Sequence, residues 1–402
     1  MKHLSVKMPI IVLGLSQLPL GSVLAAENSF TPYFSSGLVY DSNLLRIDDD
    51  FTGSVGGSTG RSDVLKKNLL GMNAKWHYSR QQLQVNAAIS DNDFQRFSTL
   101  DYKGKYLKTQ WNWQLGNYLN GNVGQTFNRA LASFNDIRGL SGNLRDQQNY
   151  FFNLNWLIHP RWEGKFSYLG NDVQYEEEIQ RIGDFESDSV GIGIDYKTPK
   201  QSRIGLMLTN EEGRYPNRTI TEISTIDDGY NQNSASFNID WKYSFKTSFQ
   251  FQTAYVTREY DNVPERDYDA IDKRISMTYK PTFKTRLKMS VFEETHPRDD
   301  LQASVSENFG QSVEMAWVPT SKISLKANYR WETREDLDNP GFVIGPVDQR
   351  EDENNNFSLS LNYEPHRSLD FSAGYQRVKR NSTIPFGDFD ADIFSLTATL
   401  RM

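Results

Sequence analysis

Apolar and polar residues alternate with period two along most of this chain. Leu83, Val85, Ala87 and Ile89 are interleaved with Gln84, Asn86, Ala88 and Ser90. Tyr150, Phe152, Leu154 and Trp156 sit between Asn149, Phe151, Asn153 and Asn155, and Ala235, Phe237, Ile239 and Trp241 oppose Ser236, Asn238, Asp240 and Lys242. Ile323, Leu325, Ala327, Tyr329 and Trp331 alternate with Ser324, Lys326, Asn328, Arg330 and Glu332. Successive strand side chains point to opposite faces, so each run predicts a two-faced β-strand. No stretch of any length keeps the 3.6-residue period of an amphipathic helix. A soluble sandwich would give one or two such runs. This many, evenly spaced, predict a sheet with lipid on one face and water on the other.

The breaks between runs alternate in length. Short ones fall near residues 78–82, 116–120, 158–161, 197–201, 243–247, 280–284, 318–321 and 364–368. Long polar ones fall near 44–64, 95–103, 132–147, 175–187, 211–230, 260–269, 295–303, 333–353 and 379–390. Eight short and nine long breaks predict about eighteen strands in an all-β, transmembrane, antiparallel up-and-down barrel, with short periplasmic turns and long external loops. The faintest strands lie near Val123 and Ile204. An aromatic followed by a Pro- or Lys-containing turn marks the short-turn end: Trp156 to Pro160, Tyr196-Lys-Thr-Pro199, Tyr279-Lys-Pro281-Thr, Trp317-Val-Pro319-Thr and Tyr363-Glu-Pro365. Phe394, Leu396, Ala398, Leu400 and Met402 alternate to the last residue, although that residue is not the aromatic commonly found there.

The N-terminus stands apart. Lys2 and Lys7 precede an apolar stretch from Met8 to Leu20 and then Gly-Ser-Val-Leu-Ala-Ala, the layout of a secretory signal peptide cleaved after Ala25 or Ala26. Residues 1–26 are therefore expected to be the signal and 27–402 the barrel. After Ala26 no apolar run approaches the roughly 20 residues of a transmembrane helix. There are no cysteines, so no disulfide framework. Beyond Ala26 remain 42 basic and 51 acidic residues, a balance that argues against nucleic-acid binding, which wants a basic footprint. Aromatic residues form 13% of the chain, an excess that membrane-interface girdles accommodate.

Strand parity assigns a charged inner face. Lys75, Lys108, Lys165, Arg203, Lys242, Arg274, Arg286, Lys288, Lys326 and Arg330 are expected to point inward, with Glu163, Asp195, Asp240, Glu294, Glu314, Glu332 and Asp370 on the same faces. Of these, Lys108, Lys165, Arg203, Lys242, Arg274, Lys288, Lys326 and Arg330 are the candidate substrate-contacting residues, a basic ladder guiding an anionic or polyhydroxylated polymer. The plainer alternative is that they solvate the interior and pair across strands. The acidic loop runs Asp48–Asp50, Glu176–Glu178, Asp227-Asp228, Asp299-Asp300 and Glu351–Glu353 lack the spacing of a calcium loop and read as solvated loop.

Catalysis finds little footing. Beyond the signal the histidines are His77, His159, His296 and His366, none with a locally spaced nucleophile. There is no G-x-S-x-G elbow and no metal-type histidine pair, and Gly191-Ile-Gly193 lies inside a strand rather than before a helix. No cofactor or metal is expected.

The first strand carries the most specific local motif. Phe30-Thr-Pro32-Tyr33 leads into Leu38-Val-Tyr40-Asp41-Ser42-Asn43-Leu44-Leu45-Arg46. This element resembles the N-terminal strand of the putative β-barrel porin family, and is especially similar to the EpsL-type barrels of exosortase-associated exopolysaccharide loci. The resemblance extends to the aromatic–Pro turns and the length. It implies an outer-membrane component for export of extracellular polysaccharide, working with periplasmic export machinery amid lipopolysaccharide. Two other functions fit the same barrel: a general or sugar-selective diffusion porin, and a structural or adhesive barrel with a plugged lumen. Asp41 and Asn43 suit an Asx-type turn where the strand leaves the membrane.

Overall fold

A computed structural model describes residues 28–48, 50, 53, 60–132, 134, 143–221, 224–297, 303–337 and 350–402. The expected signal segment 1–26 lies outside these residues, as do Asp49, Asp299 and Asp300 of the acidic runs. Eighteen strands follow one another: β1 (Ser29–Asp41), β2 (Asp63–Tyr78), β3 (Gln81–Phe94), β4 (Tyr102–Leu115), β5 (Leu119–Leu131), β6 (Leu144–His159), β7 (Trp162–Tyr175), β8 (Phe185–Lys197) and β9 (Arg203–Arg214) form the first half. The second half comprises β10 (Gly229–Trp241), β11 (Thr247–Tyr260), β12 (Tyr268–Thr282), β13 (Thr285–Pro297), β14 (Val305–Thr320), β15 (Ile323–Leu337), β16 (Glu351–His366), β17 (Leu369–Ser382) and β18 (Phe389–Arg401). Each pairs antiparallel with its sequence neighbours, and β1 pairs with both β2 and β18. The sheet is therefore a closed barrel without free edges.

The eighteen strands and the alternation of short and long connections match the sequence expectation, including the faint strands at Val123 (β5) and Ile204 (β9). Several strands run further than the polarity pattern indicates. β15 continues to Leu337 and β16 starts at Glu351, because ladder bonding persists where both faces have become polar.

Alternate residues project outward and form an exposed apolar band. Leu38, Leu70, Ile192, Leu206, Leu208, Leu359 and Leu396 all present their side chains there. Trp76, Trp111, Trp156, Trp241, Trp317 and Tyr363 rim the band toward the short turns, and Tyr40, Tyr255, Tyr329 and Phe394 toward the long loops. Such exposure would be untenable in water and is what a lipid-facing barrel wall with aromatic girdles requires. The protein is an integral barrel of the cell outer membrane.

The aromatic–Pro repeat is a locking device at the short-turn rim. The β12–β13, β14–β15 and β16–β17 ladders each slip in register between the aromatic and the turn, at Tyr279/Thr282, Trp317/Thr320 and Tyr363/His366. Pro281, Pro319 and Pro365 occupy those slips, where a residue without an N–H donor is tolerated. Their free carbonyls are then taken by lysines of the preceding turns: Lys246 Nζ donates to Pro281 O at 3.1 Å, Lys284 Nζ to Pro319 O at 2.6 Å and Lys322 Nζ to Pro365 O at 2.9 Å. Main-chain bonds from Lys280, Val318 and Glu364 to the carbonyls of the same lysines complete each lock.

The first-strand motif closes the barrel seam at the opposite end. Asp41 Oδ1 accepts from the Asn43 main-chain N–H at 2.9 Å, the expected Asx turn, and its carboxylate pairs with Arg46 at 2.9 Å. Ser42 N–H donates to the Asp392 carbonyl and Ser42 Oγ accepts from Asp392 N–H at 2.8 Å, while the Asn43 amide donates to the Asp390 carbonyl at 3.1 Å. The turn thus clamps β1 to the start of β18. It also tucks Leu45 against Phe94, Phe97 and Leu100 in a buried cluster.

Candidate functional site

The inner face is the candidate site, and ladder register fixes which side chains share it. From β3 to β6 it is dominated by neutral amides, joined at the edges by His77 of β2 and Asn171 of β7. Gln82 Oε1 accepts from Gln84 and Asn112 at 2.9 and 3.1 Å, Gln110 donates to Asn112 at 2.8 Å, and the Gln82 amide lies 2.6 Å from His77 Nε2. Further round, Asn153 donates to Asn122 at 3.0 Å, Asn155 to Asn120 at 3.1 Å and Gln147 to Asn171 at 3.2 Å. The alternation that puts Leu and Trp into lipid puts Asn and Gln into the lumen, where each amide keeps spare donors or acceptors.

The charged residues do not form a free basic ladder. On β7–β9, Lys165 pairs with Asp195 at 2.5 Å, Lys197 with Glu163 at 2.8 Å, and Arg203 reaches Glu163 and Asp195 at 3.6 and 3.5 Å. On β12 and β13 the Arg274 guanidinium grips Glu294 through two bonds of 2.7 and 2.6 Å, and Lys288 lies 3.5 Å from Glu314. Arg330 pairs with Glu332 at 2.5 Å. Lys108 and Lys326 point inward and make no hydrogen bond or ion pair among the described residues. Lys242 follows the last residue of β10 and lies exposed in the short turn, its N–H bonded to Ser202 Oγ, so it is not on the lumen wall. Register explains the pairing: Lys288 stands directly opposite Glu314, while Lys165–Asp195, Lys197–Glu163 and Arg274–Glu294 meet on the diagonal, two residues from the direct partner.

Arg274 and Arg330 share a platform that parity could not foresee. Phe292, 1% exposed, lies between them, with the two guanidinium carbons 4.5 and 4.2 Å from its ring centre. It reaches that position by lying over Gly310, where an added Cβ would stand 2.5 Å from the ring. Glycine at 310 is therefore a condition for joining β12 to β15 by cation–π contacts.

The wall thickens at the long-loop end. Arg258 stacks on Tyr230 with its guanidinium carbon 3.4 Å from the ring centre and donates twice to Gln232. Two members of the acidic loop runs are buried rather than solvated. Asp227 (1% exposed) accepts from the main-chain N–H groups of Gly229, Asn262 and Val263, which ties together the loops after β9 and β11. Its neighbour Asp228 is pushed above the usual carboxylate range by partial burial and by the Asp227 carboxylate. Asp352 (0% exposed) is held by Arg334, by Arg350 at 2.9 Å and by the Ser382 hydroxyl at 2.5 Å. Arg266, fully buried, donates to the carbonyls of Thr225 and Ala303 and adds the loop after β13 to the same knot.

No family model and no curated protein sequence matches the chain. Solved structures do. OpdK of Pseudomonas aeruginosa, determined with vanillate, is 7% identical, with 93% of this chain and 99% of that one covered and a TM-score of 0.50. OccAB3 of Acinetobacter baumannii is 10% identical over 93% and 99% of the two chains, TM-score 0.48. The alcaligin outer-membrane receptor FauA of Bordetella pertussis is 10% identical over 93% and 76%, TM-score 0.46. At 7% identity the OpdK match speaks to fold alone, that of an outer-membrane β-barrel, and the count of eighteen antiparallel strands rests on the strand order of this chain.

Proposed function

We propose that the barrel is an outer-membrane diffusion channel selective for polyhydroxylated solutes, that is, for sugars rather than for ions. The observation that carries this is the amide strip of β3–β6. An amide offers a donor pair and an acceptor together, the complement of neighbouring hydroxyls, and exchanges water for a sugar hydroxyl without a charge penalty. The paired charges elsewhere on the wall cancel most of the field that would steer ions. Charge is present, but most of it is spent internally.

The resemblance of residues 38–46 to EpsL-type barrels favours a longer version of the same solute, an exported polysaccharide chain delivered by periplasmic machinery and released past lipopolysaccharide. An amide-lined path serves monomer and polymer alike. Lys108 and Lys326, without acidic partners, are the residues that would touch acidic sugars on the way.

Liposome swelling tests the proposal. Vesicles carrying the protein are expected to swell faster in isosmotic glucose or maltose than in an organic salt of similar size. The triple replacement Asn86→Leu, Gln110→Leu, Asn112→Leu should slow the sugars several-fold and leave the salt unchanged. Equal slowing of both would show that the strip sets pore width only, and the sugar reading would fail. For the polymer version, cells lacking the protein should retain polysaccharide in the periplasm.

A further inference from the structure

One patch of the inner wall breaks the polar rule. Near the long-loop end, Leu65, Leu69, Phe94, Tyr102, Val378 and Ile393 line a recess of about 260 Å³, whose edge also carries the charged Asp41, Asp63, Arg129 and Arg145. Its roof is the first-strand turn, through Leu44 and Arg46. Leu69, Phe94, Val378 and Ile393 are only 3–9% exposed, so this part of the wall is a desolvated apolar pocket rather than wetted lumen, the kind of surround that takes the apolar part of a ligand.

Lys67 also lines this recess, between Leu65 and Leu69 on the same face of β2. It makes no hydrogen bond or ion pair among the described residues. The carboxylates up the same wall, Asp41 and Asp63, stand four residues away, roughly 13 Å along their strands. Both are engaged elsewhere: Asp41 with Arg46 and Asn43, Asp63 with the N–H groups of Val64, Arg96 and Phe97. Across the ladders Lys67 faces Gly37 on β1 and Asn92 on β3. The Asn92 amide nitrogen is committed to Ser90 Oγ and the Tyr102 carbonyl. An ammonium among leucines, with nearby acids already occupied, lacks the anion that would balance it.

We infer that this recess binds a small amphipathic monocarboxylate, its apolar body against Leu65, Leu69 and Phe94 and its carboxylate on Lys67. The volume, just below that of drug-sized pockets, limits the guest to a short aliphatic or single-ring acid. The solute class differs from the sugars assigned to the amide strip, and the site sits above that strip on the same wall.

Calorimetry on the detergent-solubilised barrel, with benzoate as probe and benzyl alcohol and acetate as controls, tests the inference. Benzoate should bind saturably. Acetate, lacking the apolar body, and benzyl alcohol, lacking the charge, should each bind about tenfold more weakly or worse. Lys67→Met should cost benzoate about tenfold while leaving benzyl alcohol unchanged. Leu69→Gln, which keeps the ammonium, should weaken benzoate and benzyl alcohol together. Heat-modified gel mobility reports folding of each variant, and Leu69→Gln carries the test if Lys67→Met does not fold. Equal benzoate binding by wild type and a folded variant, or no saturable binding, would overturn the inference. Because binding is read without a membrane, either result leaves the sugar-permeation test independent.

Discussion

Asp352→Leu is expected to destabilise the barrel by about 3 kcal/mol, the lower end of the range for breaking a buried ion pair. The carboxylate is fully buried and neutralises Arg334 and Arg350 while accepting from Ser382. Removing it leaves the Arg334 guanidinium buried, with Asp336 still facing it at 4.0 Å. That residual contact is why the lower figure applies. The double variant Asp352→Leu, Arg334→Met should recover part of the loss, since the most buried guanidinium is then no longer stranded and only the more exposed Arg350 lacks this partner. Urea unfolding in lipid vesicles, followed by tryptophan emission, measures both. A loss within about 0.5 kcal/mol of zero, the size of an ordinary surface change, would mean that the rim cluster is a solvated pair.

The second large effect concerns the two faces of one strand. Leu359 on β16 lies on the lipid side between Phe357 and Tyr363, flanked by Ala327 and Tyr375 on the adjoining strands. Ser358, its neighbour, faces the lumen opposite Asn328 and Gln376. Leu359→Arg should cost about 2–4 kcal/mol, the depth-dependent penalty of a lipid-facing arginine near the midplane. Ser358→Arg should cost little, because its guanidinium enters a polar, hydrated wall. Folding yield into vesicles and urea midpoints compare the two. Equal penalties would reverse or abolish the assigned parity.

The barrel was legible in the sequence because its signal is local. Period-two runs such as 323–332 report their two faces without knowledge of any neighbour, and a break in the run reports a turn. The inward placement of Lys108, Lys165, Arg203, Arg274, Lys288, Lys326 and Arg330 followed from the same parity. Their partners did not, because pairing depends on register between strands: Lys165 meets Asp195, thirty residues on, only when β7 and β8 are aligned. Lys242 shows the limit of parity at a strand end, where the count continues but the wall has stopped. The recess was hidden for a related reason. On β2, Leu65 and Leu69 face inward while Leu70 and Met72 face lipid, so apolar residues occupy both faces and the alternation around Lys67 loses its phase. Asp227 and Asp352 look like any acidic loop residue until the loops are folded together.

The central claim is a water-filled barrel most of whose inner charges are paired. Single-channel recording in a planar bilayer under a potassium chloride gradient tests it most directly. The account predicts stepwise opening and a potassium-to-chloride permeability ratio of about one, because most inner charges are matched and the unpaired Lys67, Lys108 and Lys326 leave little net field to focus either ion. Strong chloride selectivity would contradict it by showing a free basic ladder, and the absence of any conductance would show a lumen closed to solutes.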